Sequence, residues 1–164
     1  MVLYLESAPA LRGYARALPA AALRQRDEQF APHILTVVAG TTVDFPNDDP
    51  IYHNVFSLSQ ARTFDLGRYP RGRSKLIRFD TPGIVQVFCH LHADMNGYIL
   101  VLEHPFFVVP DAQGRYALDG VPPGDYRLVA WHERIRPIVV PVHVDAGRTT
   151  SLDVSIPVPT QTTP

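Results

Sequence analysis

The chain of 164 residues holds a single cysteine, a single tryptophan and two methionines. One cysteine excludes an intrachain disulfide, so the paired cysteines that mark many secreted domains are missing and the compartment must be argued from chemistry. No apolar run is long enough to span a bilayer, and the N-terminal stretch "MVLYLESAPALRGYARALPAAALRQRD" has Glu6 early and no basic segment ahead of an apolar core. As it stands this stretch reads as neither signal peptide nor anchor, although a signal removed upstream of Met1 is compatible with it. An excess of charge of either sign is also lacking. Fifteen Lys and Arg against sixteen Asp and Glu leave a formal net charge of -1, which gives no general attraction to nucleic acid or an anionic membrane. Long runs of Ala, Leu, Glu and Lys are missing as well, while valine is abundant and prolines number sixteen, a composition that favours strands and turns.

What is present is a succession of strand-like segments. "VLYLE", "HILTVVAG", "TTVDFPN", "HNVFSLS", "SKLIRFD", "GIVQVFCH" and "GYILVLE" are separated by clusters of Gly, Pro, Asn and Asp, an all-β pattern. Only "PAAALRQRDEQF", residues 19 to 30, reads as a short helix, with Pro19 in the first turn. Near Glu103 the texture changes to dense turn signals, followed by two-residue alternation at Val140, Val142 and Val144 and again at Leu152, Val154 and Ile156. These observations divide the chain into residues 1–103 and a smaller β unit, 104–164, too short to be independently stable with ease.

The stretch "VFCHLHADMNGYILV", residues 87–101, concentrates metal-binding side chains. Alternation along the preceding strand puts Val85, Val87 and Cys89 on one face and Gln86, Phe88 and His90 on the other. With the valines inward, Cys89 points into the core and His90 away from it. The segment then offers Cys89, His92 and Met95 to one ion, and a fourth donor must come from elsewhere. His53, which opens a strand after the turn-rich "PNDDPIY", is the candidate. One thiolate, two imidazoles and a weak thioether are the donor set of blue-copper electron-transfer sites. Taken singly, a cysteine or a methionine is ordinary core filler and a histidine an ordinary surface or hydrogen-bonded residue. It is their combination that points to a metal. Zinc is the main rival ion, since Cys and His suit it too, but Met95 is a poor zinc donor.

The "C-x-x-H-x-x-M" spacing, the upstream "HN" of His53 and Asn54, and the stretch "VVAGTTVDFPNDD" resemble the small blue-copper proteins, the cupredoxins, with loop spacing most similar to the amicyanin type. The resemblance covers roughly residues 30–102. It implies a Greek-key β-sandwich holding one copper ion by His53, Cys89, His92 and Met95, with Asn54 bracing the ligand loop near the thiolate sulfur. The elements "FDLGRYPRG", "FDTPG" and "CHLHADM" are also similar to a bacterial group of secreted plastocyanin-like, methylamine-utilisation-like proteins. Downstream, "DAQGRYALDGVPPGDYRLVAWHE" resembles carboxypeptidase-regulatory-like or transthyretin-like β-sandwiches, a likeness informative about fold and poor in function.

A basic segment, Arg62 to Arg78, sets Arg62, Arg68, Arg71, Arg73, Lys75 and Arg78 against the one acid Asp65. It reads as a solvated strand edge, or as a docking patch for an acidic redox partner. Trp131, His132 and Glu133 read as a core tryptophan with surface neighbours rather than as catalytic machinery. The expected function is single-electron transfer by a type 1 copper protein, not an enzyme, acting in a periplasm or outside the cell. The alternatives are a copper-delivery protein without fast electron transfer and a metal-free structural module.

Overall fold

A computed structural model describes residues 1–14 and 20–157 of the chain. It is all-β: among the described residues the only helical piece is a single 3-10 turn, Pro9–Leu11. The strands are β1 (Val2–Leu5), β2 (Ala21–Ala22), β3 (Arg24–Arg26), β4 (Gln29–Ala31), β5 (Ile34–Val38), β6 (Thr41–Asp44) and β7 (His53–Ser59). They continue as β8 (Arg62–Tyr69), β9 (Leu76–Phe79), β10 (Gly83–Phe88), β11 (Asn96–Leu102), β12 (Phe107–Val108), β13 (Gly124–Trp131) and β14 (Ile138–Val144). Two compact units result, one of Met1–Tyr14 with Phe106–Pro164, the other Ala15–Pro105.

In the Ala15–Pro105 unit a five-stranded sheet runs β5-β11-β10-β7-β8, accompanied by the three-stranded sheet β2-β6-β9 and the hairpin β3-β4. β5 lies parallel to β11, while β10 is antiparallel to both β11 and β7. The core draws Val37, Val55, Val85, Val87, Ile99 and Val101 from the larger sheet and Val43 and Phe79 from the smaller. Each such side chain removed from water contributes about 1.5–3 kcal/mol before the entropy of ordering is charged against it. Period-two alternation selects these residues: on β10 Val85 and Val87 are buried, Ile84 is exposed, and Cys89 continues the buried row just past the strand end.

The segment that reads as a helix at 19–30 is instead β2, β3 and β4; Pro19 itself lies outside the described residues. Leu23, Gln25 and Phe30 are buried while Arg24, Arg26 and Gln29 face outward, which is strand alternation. The polar Gln25 takes a core position because its Nε2 donates to the Tyr69 hydroxyl (2.5 Å) and to the Phe45 carbonyl (3.2 Å). Arg26 pairs with Gln29, so Asp27 and Glu28 form a two-residue hairpin turn, and both adopt φ of +54° as its mirror-image geometry demands. Phe30 then packs against Gly97 of β11, where an added Cβ would come within 3.1 Å of both the Phe30 Cβ and the His33 carbonyl oxygen. That close approach seats the hairpin on the larger sheet.

The second unit is built on one four-stranded antiparallel sheet, β12-β1-β13-β14. The strand Val2–Leu5, which the sequence groups with residues 1–103, pairs here with Leu128–Trp131 and so belongs with the later residues. Both of its faces carry apolar side chains, so alternation does not reveal its partner. Residues 151–157 alternate in burial, with Leu152, Val154 and Ile156 packed on this unit's core, yet they join no ladder. The segment is tied instead by the Tyr116 hydroxyl, which donates to the Leu152 carbonyl at 2.6 Å. Trp131 is buried at the end of β13, while His132 and Glu133 after it are only partly covered.

Candidate metal centre

His53 is the first residue of β7, and Cys89 follows the last residue of β10 directly. His92 and Met95 lie on the loop that turns back into β11. The loop is closed by its own backbone: Met95 N–H donates to the His92 carbonyl at 3.1 Å, and Cys89 N–H to the Met95 carbonyl at 3.2 Å. These bonds bring His92 back over the sulfur.

Three donor atoms converge. The two Nδ1 atoms of His53 and His92 are 3.1 Å apart, and Cys89 Sγ is 3.6 Å from His92 Nδ1 and 3.9 Å from His53 Nδ1. A triangle with these sides has a circumradius of about 2.1 Å, beside first-row metal bonds of roughly 2.0–2.1 Å to imidazole nitrogen and 2.3 Å to thiolate sulfur. The donor set therefore fits an ion of that size with little adjustment. Among the described residues this is the one group of three or more His, Cys, Asp or Glu side chains found close enough to share a metal. Met95 is buried in the same core cluster as Cys89. His53 is wholly buried, whereas the His92 side chain keeps 23% of its surface exposed.

His90 stands apart from this group. Its ring stacks on Phe56, with centroids 3.7 Å apart and planes 6° from parallel, and its Nε2 lies 3.8 Å from Asp65 Oδ2 at the surface. Asn54 sits between these elements and is buried. Its Nδ2 donates to Asp65 Oδ1 at 2.6 Å, and its Oδ1 accepts the His90 N–H at 3.3 Å. Asn54 thus touches the ligand loop one residue beyond Cys89. The Gly67 N–H donated to Asp65, followed by the Asn54 amide, outweighs partial burial and holds the Asp65 carboxyl below the usual carboxylate range.

Several groups around the site carry no signal in the sequence. Asp49 Oδ2 lies 2.7 Å from His53 Nε2, and the same carboxylate accepts the Asp27 N–H at 2.7 Å and the Glu28 N–H at 3.0 Å. Burial alone raises its pKa, but the Glu28 and Asp27 amides and the His53 ring overcome this and set it below the ordinary value. Asn47, fully buried, accepts the Asp49 N–H and donates to the Tyr69 and Ile51 carbonyls. The Tyr69 hydroxyl, donated to Phe45 at 2.8 Å, is pushed upward in pKa by burial. Asp49 precedes His53 by four residues in a loop, where such a spacing has no fixed geometry, so position in the chain does not announce it. Glu28 Oε2 lies 3.8 Å from His92 Nε2, on the hairpin that the sequence reads as helix.

No family model matches the chain, and no curated protein does. Solved structures do show similarity. A Cu-containing nitrite reductase from Thermus scotoductus is 26% identical with a TM-score of 0.49; the match covers 56% of this chain and 24% of that one. A purple cupredoxin from Nitrosopumilus maritimus is 22% identical with a TM-score of 0.45, covering 49% of this chain and 98% of that one. A Cu(I) form of an amicyanin variant is 18% identical with a TM-score of 0.47, covering 60% and 97%. The chain thus spans about a quarter of the nitrite reductase and almost the whole length of the two smaller proteins.

The basic segment of the sequence falls on β8, an edge strand, and on the loop to β9. Arg68, Arg71 and Arg73 are exposed, and Arg68 pairs with Asn54 while Tyr69 pairs with His53, so Arg68 lies at the end of β8 nearest the site. Arg78 is engaged by Asp80 at 2.7 Å, and the Lys75 ammonium donates to the Leu66 carbonyl. No helix of the described residues is long and apolar enough to cross a membrane.

Proposed function

We propose that the protein is a cupredoxin-type carrier of single electrons, in which His53, Cys89 and His92 would hold one copper ion with Met95 as a further, weak donor. The observation that carries this reading is the convergence of the three donor atoms at sides of 3.1, 3.6 and 3.9 Å. Copper bound there supplies a reversible Cu(I)/Cu(II) change to which a thiolate, two imidazoles and a thioether are all acceptable partners.

The chain's own part is to hold these donors in one arrangement. β7 and β10 fix His53 and Cys89 at strand ends, while the Met95–His92 and Cys89–Met95 backbone bonds and the Asn54–His90 bond fix the loop. A donor set locked by the fold moves little when the charge at its centre changes, which favours rapid electron exchange. Burial of His53, Cys89 and Met95 keeps water from the site, and the partly exposed His92 edge is its shortest path to a partner. The exposed Arg68, Arg71 and Arg73 supply a positive surface that steers an acidic partner protein and raises encounter rate more than affinity. The second unit, similar to carboxypeptidase-regulatory-like domains, serves partner contact. Copper redox chemistry of this kind belongs in a periplasm or outside the cell.

The competing reading is copper delivery, in which the same donors hold Cu(I) and pass it on. The two separate in one experiment. The copper-loaded protein is mixed with its own oxidised form to measure self-exchange, and in parallel with a Cu(I) chelator to measure metal loss. Fast exchange with slow loss supports the carrier; slow exchange with rapid loss replaces it with delivery.

A further inference from the structure

One face of the second unit's sheet is covered by a segment that belongs to no sheet. Leu5 and Leu128 are buried on that face, while Val142 and Val144 of the edge strand β14 are only partly covered. The cover is residues 151–157, in which Leu152, Val154 and Ile156 turn inward at a strand's spacing and Ser151, Asp153 and Ser155 are exposed. Its backbone joins no ladder, so side chains hold it. The Tyr116 hydroxyl donates to the Leu152 carbonyl at 2.6 Å, and the Thr150 hydroxyl to the His143 carbonyl at 2.8 Å. Beneath it lies a cleft of about 640 Å³ lined by Leu5, Leu118, Leu128, Val142, Val144 and Leu152. Close-packed interiors leave few voids larger than a water molecule, so this strap lies over its face without interlocking with it. Few buried contacts and no ladder are the marks of a segment that opens separately from its domain.

Residues 145–150 link β14 to the strap. The Arg148 N–H donates to the Asp145 carbonyl at 3.4 Å, a long bond, and Gly147 takes φ of +68°. A Cβ added at Gly147 would meet nothing within 4 Å, so it is the left-handed backbone and not space that calls for glycine. The chain folds back on itself through this turn alone. Drawn straight, the linker has a second use. Set antiparallel against the linker of another copy, with Ala146 opposite Gly147, it places Asp145 of each chain opposite Arg148 of the other. Opposite charges facing each other across a strand pair attract.

We infer that residues 151–157 are an exchangeable strap, through which two copies of this chain dimerise by each seating its strap on the other's sheet face. The occupant is a second copy because the segment already seated there shows what fits. It brings apolar side chains at every second position and one acid, Asp153, to a cleft with Arg115 and Arg148 at its rim. An exchanged strap makes the same contacts as the closed one, so the cost of exchange is confined to the turn and to association itself. Copper has no part in it.

The test uses the full chain, held at millimolar concentration and followed by size-exclusion chromatography with light scattering. A dimer is expected. In a dimer formed from equal parts of carbon-13-labelled and unlabelled chains, isotope-filtered NMR should show the strap methyl groups of one chain against the Leu128 and Val142 methyl groups of the other. A dimer without these contacts overturns the inference. Gly147→Val disfavours the left-handed turn about fivefold or more in each chain, so the dimerisation constant should rise about 25-fold or more. Val154→Asp sets a charge against the apolar face and should abolish the dimer. A constant unchanged in Gly147→Val, or a dimer that persists in Val154→Asp, overturns the inference, as does a chain monomeric both as wild type and as Gly147→Val. Should Gly147→Val fail to fold, the wild-type contacts between chains and the Val154→Asp result decide.

Discussion

Asn54 offers a sharp test of how the ligand loop is held. The residue is buried, donates to the Asp65 carboxylate at 2.6 Å and accepts from the His90 N–H at 3.3 Å. Asn54→Ala removes both bonds. A hydrogen bond to a charged group contributes about 1.5–3 kcal/mol and a long neutral one about 0.5 kcal/mol, so the loss should be roughly 2–3.5 kcal/mol. Asn54→Asp keeps the shape but sets a second carboxylate against the first. At 2.6 Å and an effective dielectric constant near 20, the Coulomb repulsion is about 6 kcal/mol before the side chains relax, which makes this variant worse than the alanine at neutral pH. Two carboxyls so close hold a proton between them, so the extra cost of Asn54→Asp should shrink as pH falls from 7 toward about 5. Urea unfolding of the apo proteins by circular dichroism measures both quantities against wild type at each pH. If Asn54→Asp is as stable as wild type at pH 7, or its deficit does not change with pH, the Asn54–Asp65 bond does not brace the loop as described.

Further outcomes follow from groups away from the donor triangle. His90→Ala should leave copper affinity and colour unchanged in titration while costing about 0.5–1.5 kcal/mol of stability, because the ring stacks on Phe56 rather than facing the thiolate. In the second unit, the His143 pKa is raised, first by the 2.7 Å hydrogen bond and charge of Asp125 and then by Asp145. Since the folded value lies above the unfolded one of about 6.5, this contribution to stability is complete below that pH and fades as pH rises through the folded pKa. Proton NMR titration should place His143 above its ordinary value in wild type and move it back toward that value in Asp125→Asn.

The all-β class was legible because strands of this chain punctuate themselves with Gly, Pro, Asn and Asp, and alternation along β10 by itself separates Cys89 from His90. The convergence of His53 with Cys89 and His92 was readable from donor chemistry, since a thiolate and a histidine on one loop lack a partner. What escaped the sequence is the polar support beneath them. Gln25, at a core position on β3, disguises an alternating strand as an amphipathic helix, and Asp27-Glu28 lacks the glycine or asparagine that announces a two-residue turn. With the hairpin misread, neither Glu28 nor the Asp49 carboxylate that its amide holds could be connected to the histidines. The partner of β1 was hidden for another reason: Val2 pairs with Trp131 across nearly the whole chain, and short apolar strands carry no address.

The central claim, that His53, Cys89 and His92 close on a copper ion, is tested most directly by titrating Cu(II) into the purified apo protein and recording visible absorption and electron paramagnetic resonance. The account predicts saturation at one equivalent, an intense thiolate-to-copper band and a small parallel hyperfine splitting, with the band abolished in Cys89→Ser. A colourless adduct with a large splitting, or a band that survives in Cys89→Ser, contradicts it.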